Sequence, residues 1–264
     1  MRQINKNMSK KICVIPARMA SIRFPGKPLA LILGLPLILH IWHRCILETK
    51  FDRVIVATCD QEIFDTVKSV GGEAVMTSDN HERCTDRVSE AINNIDLKLS
   101  KNDLTVMVQG DEVLVNPNML GEIINAFENS SALAINLISR INRIEDIKDI
   151  NVVKVAKDLN NRIVFLSRSP IPNQTRNPDA PMYQQTGVVA YAASFLEEFS
   201  ALAQTPLESI ESIDMLRLIE NSIPLDSVVT ETTTIGVDTP EDLKRAEKAL
   251  TNDKWTKHYL HDQP

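Results

Sequence analysis

Apolar residues follow two alternating rhythms through the first half of the chain. Ile12-Cys13-Val14-Ile15, Arg53-Val54-Ile55-Val56-Ala57-Thr58 and Leu104-Thr105-Val106-Met107-Val108 are short, nearly continuous apolar runs. Such runs predict strands buried on both faces. Between them the apolar positions recur at helical spacing: Leu37, Ile38, Ile41, Trp42, Cys45 and Ile46, then Ile63, Val67 and Val70, then Val88, Ala91 and Ile92. That spacing lays one apolar stripe along a helix. A Gly71-Gly72 break precedes a strand through Ala74-Val75-Met76. Strand alternating with helix predicts an α/β fold with a doubly wound, mostly parallel sheet.

From about Ala132 the pattern changes. Ala132–Ile138, Val152–Ala156 and Ile163–Leu166 are β-rich, and Asp158-Leu159-Asn160-Asn161-Arg162 between the last two reads as a hairpin turn. Gln174–Pro181 is a polar, proline-containing loop, read as a flexible edge of the site, before a strand at Gly187–Tyr191. Helices follow at Phe195–Leu202 and Leu207–Glu220, and a strand at Val228–Thr230. Thr239-Pro240-Glu241-Asp242 is a strong helix start, with a Thr cap, Pro at the first position and acids in the first turn. Beyond Asn252 little apolar pattern remains, which predicts a loose tail. A smaller β-rich part is therefore expected after the parallel core.

Composition narrows the function classes. With 264 residues, 43% hydrophobic and 24% charged, the chain can build one large α/β domain. A net charge of −6 argues against a nucleic-acid binder. Cys13, Cys45, Cys59 and Cys84 are widely spaced without a C-x-x-C, so disulfide and zinc readings are weak. His40 and His43 near Cys45 lack a fourth ligand and read as solvated or hydrogen-bonded helix histidines. The polar, basic stretch Met1–Lys11 has no signal-peptide core, and the apolar stretch Leu29–Trp42 is interrupted by Gly34 and Pro36. A cytoplasmic protein is expected.

The chemistry concentrates at predicted strand ends. Pro16-Ala17-Arg18-Met19-Ala20-Ser21-Ile22-Arg23-Phe24-Pro25-Gly26-Lys27-Pro28 follows the first strand, where α/β sheets bind ligands. Arg18, Arg23 and Lys27, with Ser21 and a rigid Pro-Gly turn, suit a triphosphate. It is not a Walker loop, because Pro28 follows Gly26-Lys27, and no G-x-G-x-x-G fingerprint occurs. Asp111 follows the strand ending at Val108. Asp238 sits between an expected strand end, Ile235-Gly236-Val237, and the Thr239-Pro240 helix start. Two carboxylates beside a cationic phosphate loop are what magnesium needs, with substrate phosphates completing its oxygen ligands. Cys84-Thr85-Asp86-Arg87 opens a helix, with Thr85 and Asp86 suited to capping it. Amides at that terminus, with Arg87, could read a base or an anion.

These residues carry a family resemblance. The chain resembles the cytidylyltransferases for acidic sugars, most of all the 3-deoxy-manno-octulosonate (Kdo) cytidylyltransferases. The matching motifs are Ile15–Arg18 with Ser21–Leu29, Val56-Ala57-Thr58, Gly71–Thr77, Thr85-Asp86-Arg87 and Val108–Glu112. Val152–Val155, Ser167-Arg168, Pro206-Leu207-Glu208 and Gly236–Leu243 complete the series. The resemblance implies transfer of CMP from CTP to a 2-keto-3-deoxy sugar acid, with release of pyrophosphate, on a doubly wound α/β core that uses magnesium and forms a homodimer. It implies that Arg18, Ser21 and Lys27 hold the CTP phosphates. Asp111 and Asp238 would bind the metal, and Ala17, Cys84, Arg87 and Gln109 would lie near the nucleotide. The catalytic set would be Arg18, Lys27 and Asp111, offsetting charge as the sugar's anomeric hydroxyl attacks the α-phosphate in line with leaving pyrophosphate. Residues 9–250 would form one domain: a nucleotide half (11–130), an acceptor and dimerisation part (131–235), and the metal Asp with a closing helix (236–250). Residues 1–8 and 251–264 would be loose.

The acceptor side departs from the Kdo pattern. Cys84 stands where Gly is usual. Gln185-Thr186-Gly187-Val188-Val189 replaces His-Leu-Gly with its following Tyr, and Ile213-Asp214-Met215-Leu216-Arg217 replaces Leu-Glu-Gln-Leu-Arg. Val113 stands where Pro is common. Lost hydrogen-bonding groups penalise the old ligand, leaving Arg168, Gln185 and Asp214 as acceptor-binding candidates, with Arg168 the carboxylate or phosphonate clamp. The alternatives are a different ulosonic acid or a phosphonate as acceptor, or a non-catalytic nucleotide-binding relative. A sugar-phosphate nucleotidyltransferase and a nicotinamide oxidoreductase are disfavoured because their glycine-rich loops are absent.

Overall fold

The computed structural model describes residues 9–21, 23–97, 99–100, 103–232 and 234–260. Its first half alternates as expected: β1 (Lys11–Ala17), a small hairpin of β2 (Leu31–Ile32) and β3 (Leu35–Pro36), α1 (Leu37–Ile46), β4 (Arg53–Thr58), α2 (Gln61–Ser69), β5 (Glu73–Met76), α3 (Cys84–Asn94), β6 (Leu104–Val108) and α4 (Pro117–Glu128). The second half holds β7 (Ala134–Arg140), α5 (Ile144–Lys148), β8 (Lys154–Lys157), β9 (Ile163–Ser167), β10 (Tyr183–Ala192) and α6 (Ala193–Ala201). It ends with α7 (Pro206–Glu211), α8 (Leu216–Glu220), β11 (Asp226–Thr230), α9 (Pro240–Thr251) and α10 (Lys257–Leu260).

The main sheet runs β11-β7-β10-β6-β1-β4-β5. β6, β1, β4 and β5 pair in parallel, as do β11 and β7, while β10 runs antiparallel to both β6 and β7. Alternation along β1 explains why both faces need cover. Cys13, Ile15 and Ala17 join one apolar cluster, and Ile12 and Val14 join the other. The doubly wound, mostly parallel sheet is thus as expected. β8 and β9 extend it as a hairpin on β10, giving the β-rich smaller part.

Three local readings change. Cys84 begins α3 with Arg83 in the cap position and no side-chain cap. Thr85 instead donates from its hydroxyl to Asp214, 2.7 Å, and Asp86 pairs with Arg217, because both face buried partners rather than the helix end. Ile235-Gly236-Val237 is no strand; Gly236 makes only an isolated bridge to Glu112.

The stretch after Asn252, expected to be loose, packs. His40 is buried in α1 and donates from Nε2 to Ile32 O while its Nδ1 accepts from Tyr259 Oη, each 2.8 Å. Arg44, fully buried on α1, donates to Val115 O (3.0 Å), Tyr259 Oη (3.2 Å) and Thr256 Oγ1 (2.9 Å), and pairs with Asp253. Buried polar groups need such partners, so residues 253–260 fold back over α1. Residues 1–8 and 261–264, also expected to be loose, lie outside the described residues. No helix among the described residues is long and apolar enough to cross a membrane.

Candidate active site

Strands β1, β4 and β6 end side by side, so the loops that follow them meet at one edge of the sheet. Their closeness depends on Gly110: a Cβ there would lie 2.7 Å from Pro16 O. The loop after β1 is tied down by Met19 N–H donating to Asp60 Oδ2, 2.8 Å, just beyond β4. Ser21 Oγ accepts from Phe24 N–H (3.3 Å), and Gly26 N–H closes back on Met19 O (3.1 Å). A short 3-10 turn, Lys27–Leu29, then aims Lys27 back across the sheet end.

Lys27 Nζ lies 3.1 Å from Asp111 Oδ2 and 3.2 Å from Asp238 Oδ1. Asp111 comes from the turn after β6. Asp238 is brought beside it by the Glu112–Gly236 bridge and by Val237 N–H donating to Asp111 O, 3.1 Å. Burial opposes the charge on Lys27, but Asp111 and Asp238 outweigh it and hold the ammonium above its ordinary pKa. Arg23 joins from the loop, 3.0 Å from Asp238 Oδ1, and hydrogen-bonds Asn151. Two cations and two carboxylates thus meet at the mouth of a cleft.

That cleft, about 230 Å³, is lined by Arg23, Gln109, Asp111, Glu112, Arg168, Gln185, Asp214 and Asp238, among others. The side of the cleft that carries Arg168 is held by Lys154, which is fully buried and donates to Val152 O (2.8 Å) and Arg168 O (3.0 Å). The Arg168 guanidinium donates to Glu211 O (2.7 Å), Ile150 O (2.8 Å) and Ser212 O (3.3 Å). Of its five N–H donors, two remain for a ligand. Arg168 is therefore a fixed cation with part of its fork already engaged. Burial, then nearby Arg23, holds its pKa below the ordinary arginine value.

Gln185 donates to Asn136 Oδ1, 2.7 Å, at a bulge in β10 between Gln185 and Val189. Asn136 in turn donates to the carbonyls of Leu137, Thr186 and Val188. Asp214 accepts from Thr85, and burial raises its pKa. Cys84 is pushed up to about 12, by burial first and then by Asp214 and Asp111, against Arg18 and Lys27. Its thiol stays neutral among four charged groups.

The remaining candidates are placed as follows. Ala17 ends β1. Arg18 is exposed and donates to His81 O, 3.3 Å. Gln109 lines the cleft. Arg87 is buried and turned into the protein, donating to Thr77 Oγ1 (2.6 Å) and Ser78 O (3.0 Å), so it braces the 77–81 loop beneath Arg18. Gln174–Pro181, read as an edge of the site, is not among the residues lining the cleft.

No role for Glu112, Lys154 or Asn136 follows from the motifs alone. Glu112 carried the one available signal, a second carboxylate beside Asp111 after a buried strand. Burial, then Asp111, raises its pKa to about 7.

A cation can be accommodated, given ligands from elsewhere. Among the described residues no cluster of three or more His, Cys, Asp or Glu could hold a metal by itself. Asp111 and Asp238 nevertheless converge on one positive atom, the Lys27 nitrogen. A two-carboxylate set completed by phosphate oxygens and water is the way magnesium is bound at nucleotide sites, so the donors fit that ion.

Comparison with known proteins shows the family to which the chain belongs. The cytidylyltransferase family model matches residues 12–232. The chain is 39% identical over 248 residues to the 3-deoxy-manno-octulosonate cytidylyltransferase of Thermodesulfovibrio yellowstonii, covering 90% of this chain and 97% of that one. It is 37% identical over 246 residues to the 8-amino-3,8-dideoxy-manno-octulosonate cytidylyltransferase of Shewanella baltica, covering 91% and 98%. Among solved structures it is similar to CMP:2-keto-3-deoxy-manno-octonic acid synthetase complexed with CTP. That match has a TM-score of 0.83 at 31% identity and covers 92% of this chain and 99% of that one. A loop of cations facing two carboxylates from separate turns, on a chain alike along nearly its whole length, places this protein among the cytidylyltransferases, in the 3-deoxy-manno-octulosonate cytidylyltransferase family.

Proposed function

We propose that this chain transfers CMP from CTP to a 2-keto-3-deoxy sugar acid, Kdo or a close analogue, and releases pyrophosphate. The observation that carries the reading is Lys27 held between Asp111 and Asp238 beside a cleft whose lining also presents Arg168. The acceptor's anomeric oxygen forms a bond to the α-phosphorus as the bond to pyrophosphate breaks. Lys27 and Arg18 face the triphosphate and offset charge that builds on the leaving group, with Arg23 at its edge. Ser21 supports the loop's turn and keeps its hydroxyl proton for a phosphate oxygen. Ala17, Cys84, Gln109 and the 77–81 loop braced by Arg87 border the nucleotide. Arg168 takes the acceptor's carboxylate, and Gln185 and Asp214 meet its hydroxyls.

Asp111 and Asp238 hold magnesium in this reading, and bound magnesium would acidify the attacking hydroxyl and offset phosphate charge. An amino-bearing sugar acid, as in the name of the Shewanella relative, is a second reading, favoured by Asp146, Asp149 and Asp214 along the cleft. A homodimer is also proposed, using the exposed apolar residues Ile144, Ile150, Leu159, Val164 and Ile210; sedimentation that finds only monomer would dispose of it. Pyrophosphate release, measured with each nucleoside triphosphate against Kdo, its 8-amino analogue, other ulosonic acids and phosphonates, tests the whole. No release from CTP with any 2-keto-3-deoxy acid would refute the function.

A further inference from the structure

Glu112 occupies an unusual position between the two halves of the site. It is 5% exposed. Its Oε1 accepts from Gly187 N–H, while Gly187 O accepts from Gln109 N–H at 2.8 Å, so the turn after β6 and the bulged strand β10 are joined in both directions. The contact is close enough to dictate the residue at 187. A Cβ there would lie 2.7 Å from both Gln109 Cβ and Glu112 Cγ, which is too short for any side chain. The same residue bridges Gly236, two positions before Asp238. Three segments therefore meet at one residue, the Asp238 turn through its backbone and the strand carrying Gln185 through its side chain, with the Asp111 turn to which it belongs.

Its second oxygen needs explaining. Glu112 Oε2 is buried and has no hydrogen-bond partner, a costly arrangement that native structures rarely keep without a use. A glutamine or a methionine would tether or fill the same space without leaving a carboxylate oxygen unmatched. Asp111 and Asp238 act on this carboxyl group electrostatically, so it lies within the field of the carboxylate pair.

We propose that Glu112 is the positioning residue that joins the two half-sites: Oε1 fixes the acceptor-side strand, and Oε2 strengthens the hold of Asp111 and Asp238 on a divalent cation. The inference rests on the cytidylyltransferase reading above and separates the two oxygens, so Glu112→Gln and Glu112→Ala must differ. Glutamine keeps an oxygen for Gly187 N–H but loses the carboxylate; alanine loses both.

The test uses the full chain with CTP and three readouts: manganese binding followed by electron paramagnetic resonance, hydrogen exchange at the Gly187 amide, and the acceptor KM. Glu112→Ala should weaken manganese binding about tenfold, expose the Gly187 amide to exchange and raise the acceptor KM about tenfold. Glu112→Gln should weaken manganese binding similarly while leaving Gly187 protected and the acceptor KM within about twofold of wild type. Manganese affinity unchanged in both variants overturns the role of Oε2. Equal loss of Gly187 protection in both overturns the role of Oε1. If the wild type binds manganese and CTP but uses no sugar acid, the proposed function fails, while the manganese and exchange readouts still decide the role of Glu112.

Discussion

Two ion clusters in this molecule are built from the same kinds of group and behave in opposite ways. At the cleft, Lys27 is shared between Asp111 and Asp238, whose side chains are 25% and 20% exposed. Behind α3, Arg217 is gripped by Glu208 through Nε–Oε2 at 2.9 Å and Nη2–Oε1 at 2.7 Å, with the Glu208 side chain fully buried. Asp86 adds a third contact, and the guanidinium lies 4.6 Å from the Phe199 ring centre. The Arg217–Glu208 pair is bidentate, matched and buried, with only Asp86 reaching solvent at its edge, so it serves the fold. The Lys27 cluster is monodentate, shared and open on one side, so its partners can be exchanged for phosphate and metal. Geometry, more than residue type, separates a structural ion cluster from a reactive one.

The contrast is best broken at its strongest point. Lys27→Ala or Asp111→Asn should lower turnover about 10³-fold, about 4 kcal/mol of barrier, with a much smaller change in CTP affinity and little change in melting temperature. Wild-type turnover at saturating CTP and acceptor would remove the cleft cluster from the chemistry. Glu208→Ala should do the reverse. Leaving Arg217 buried without its partner costs about 3–5 kcal/mol, or roughly 10 °C in melting temperature, and a thermal scan showing no loss would place Glu208 outside the fold's support.

A third polar cluster, around His40 in α1, sharpens the comparison through pH. Burial, reinforced by Arg44 and His43 and partly opposed by Ile32 O, lowers the His40 pKa from 6.5 to about 4. Its folded value lies below its unfolded one, so the unfolded state binds the proton first as the solution is acidified. The contribution is complete above pH 6.5 and is lost as pH falls from 6.5 towards 4. It amounts to about 3 kcal/mol. Stability measured at pH 7 and pH 4.5 should fall less steeply in His40→Gln than in wild type, and parallel slopes would acquit His40. The smallest effect is expected from Arg23→Ala. Its side chain is 47% exposed, and turnover should stay within about threefold. A loss as large as that of Lys27→Ala would mean the two cations are equivalent.

Asp111 is legible in the sequence because a buried parallel strand fixes the edge at which the next turn emerges, and it lies in the turn after β6. Asp238 is legible for a different reason, because it directly precedes the capped start of α9; the strand expected before it does not form. Arg44 shows why other parts were hidden. It stands as a charged residue between Trp42 and Cys45 of the α1 stripe, yet it is fully buried, because its partners Thr256 and Tyr259 stand more than two hundred positions away. Arg168 shows a second limit. A sequence displays its charge, but not the three backbone carbonyls that occupy part of its fork. Thr85 and Asp86 look like cap residues because local rules favour that use; distant Asp214 and Arg217 claim them instead.

The return of residues 253–260 over α1 binds widely separated stretches of chain into one cooperative unit. The groups that neutralise Arg44 and satisfy His40 stand more than two hundred positions from that helix. Replacing residues 253–260 with a Gly-Ser linker should therefore leave Leu37–Ile46 far more open to protease, although the helix's own sequence is untouched.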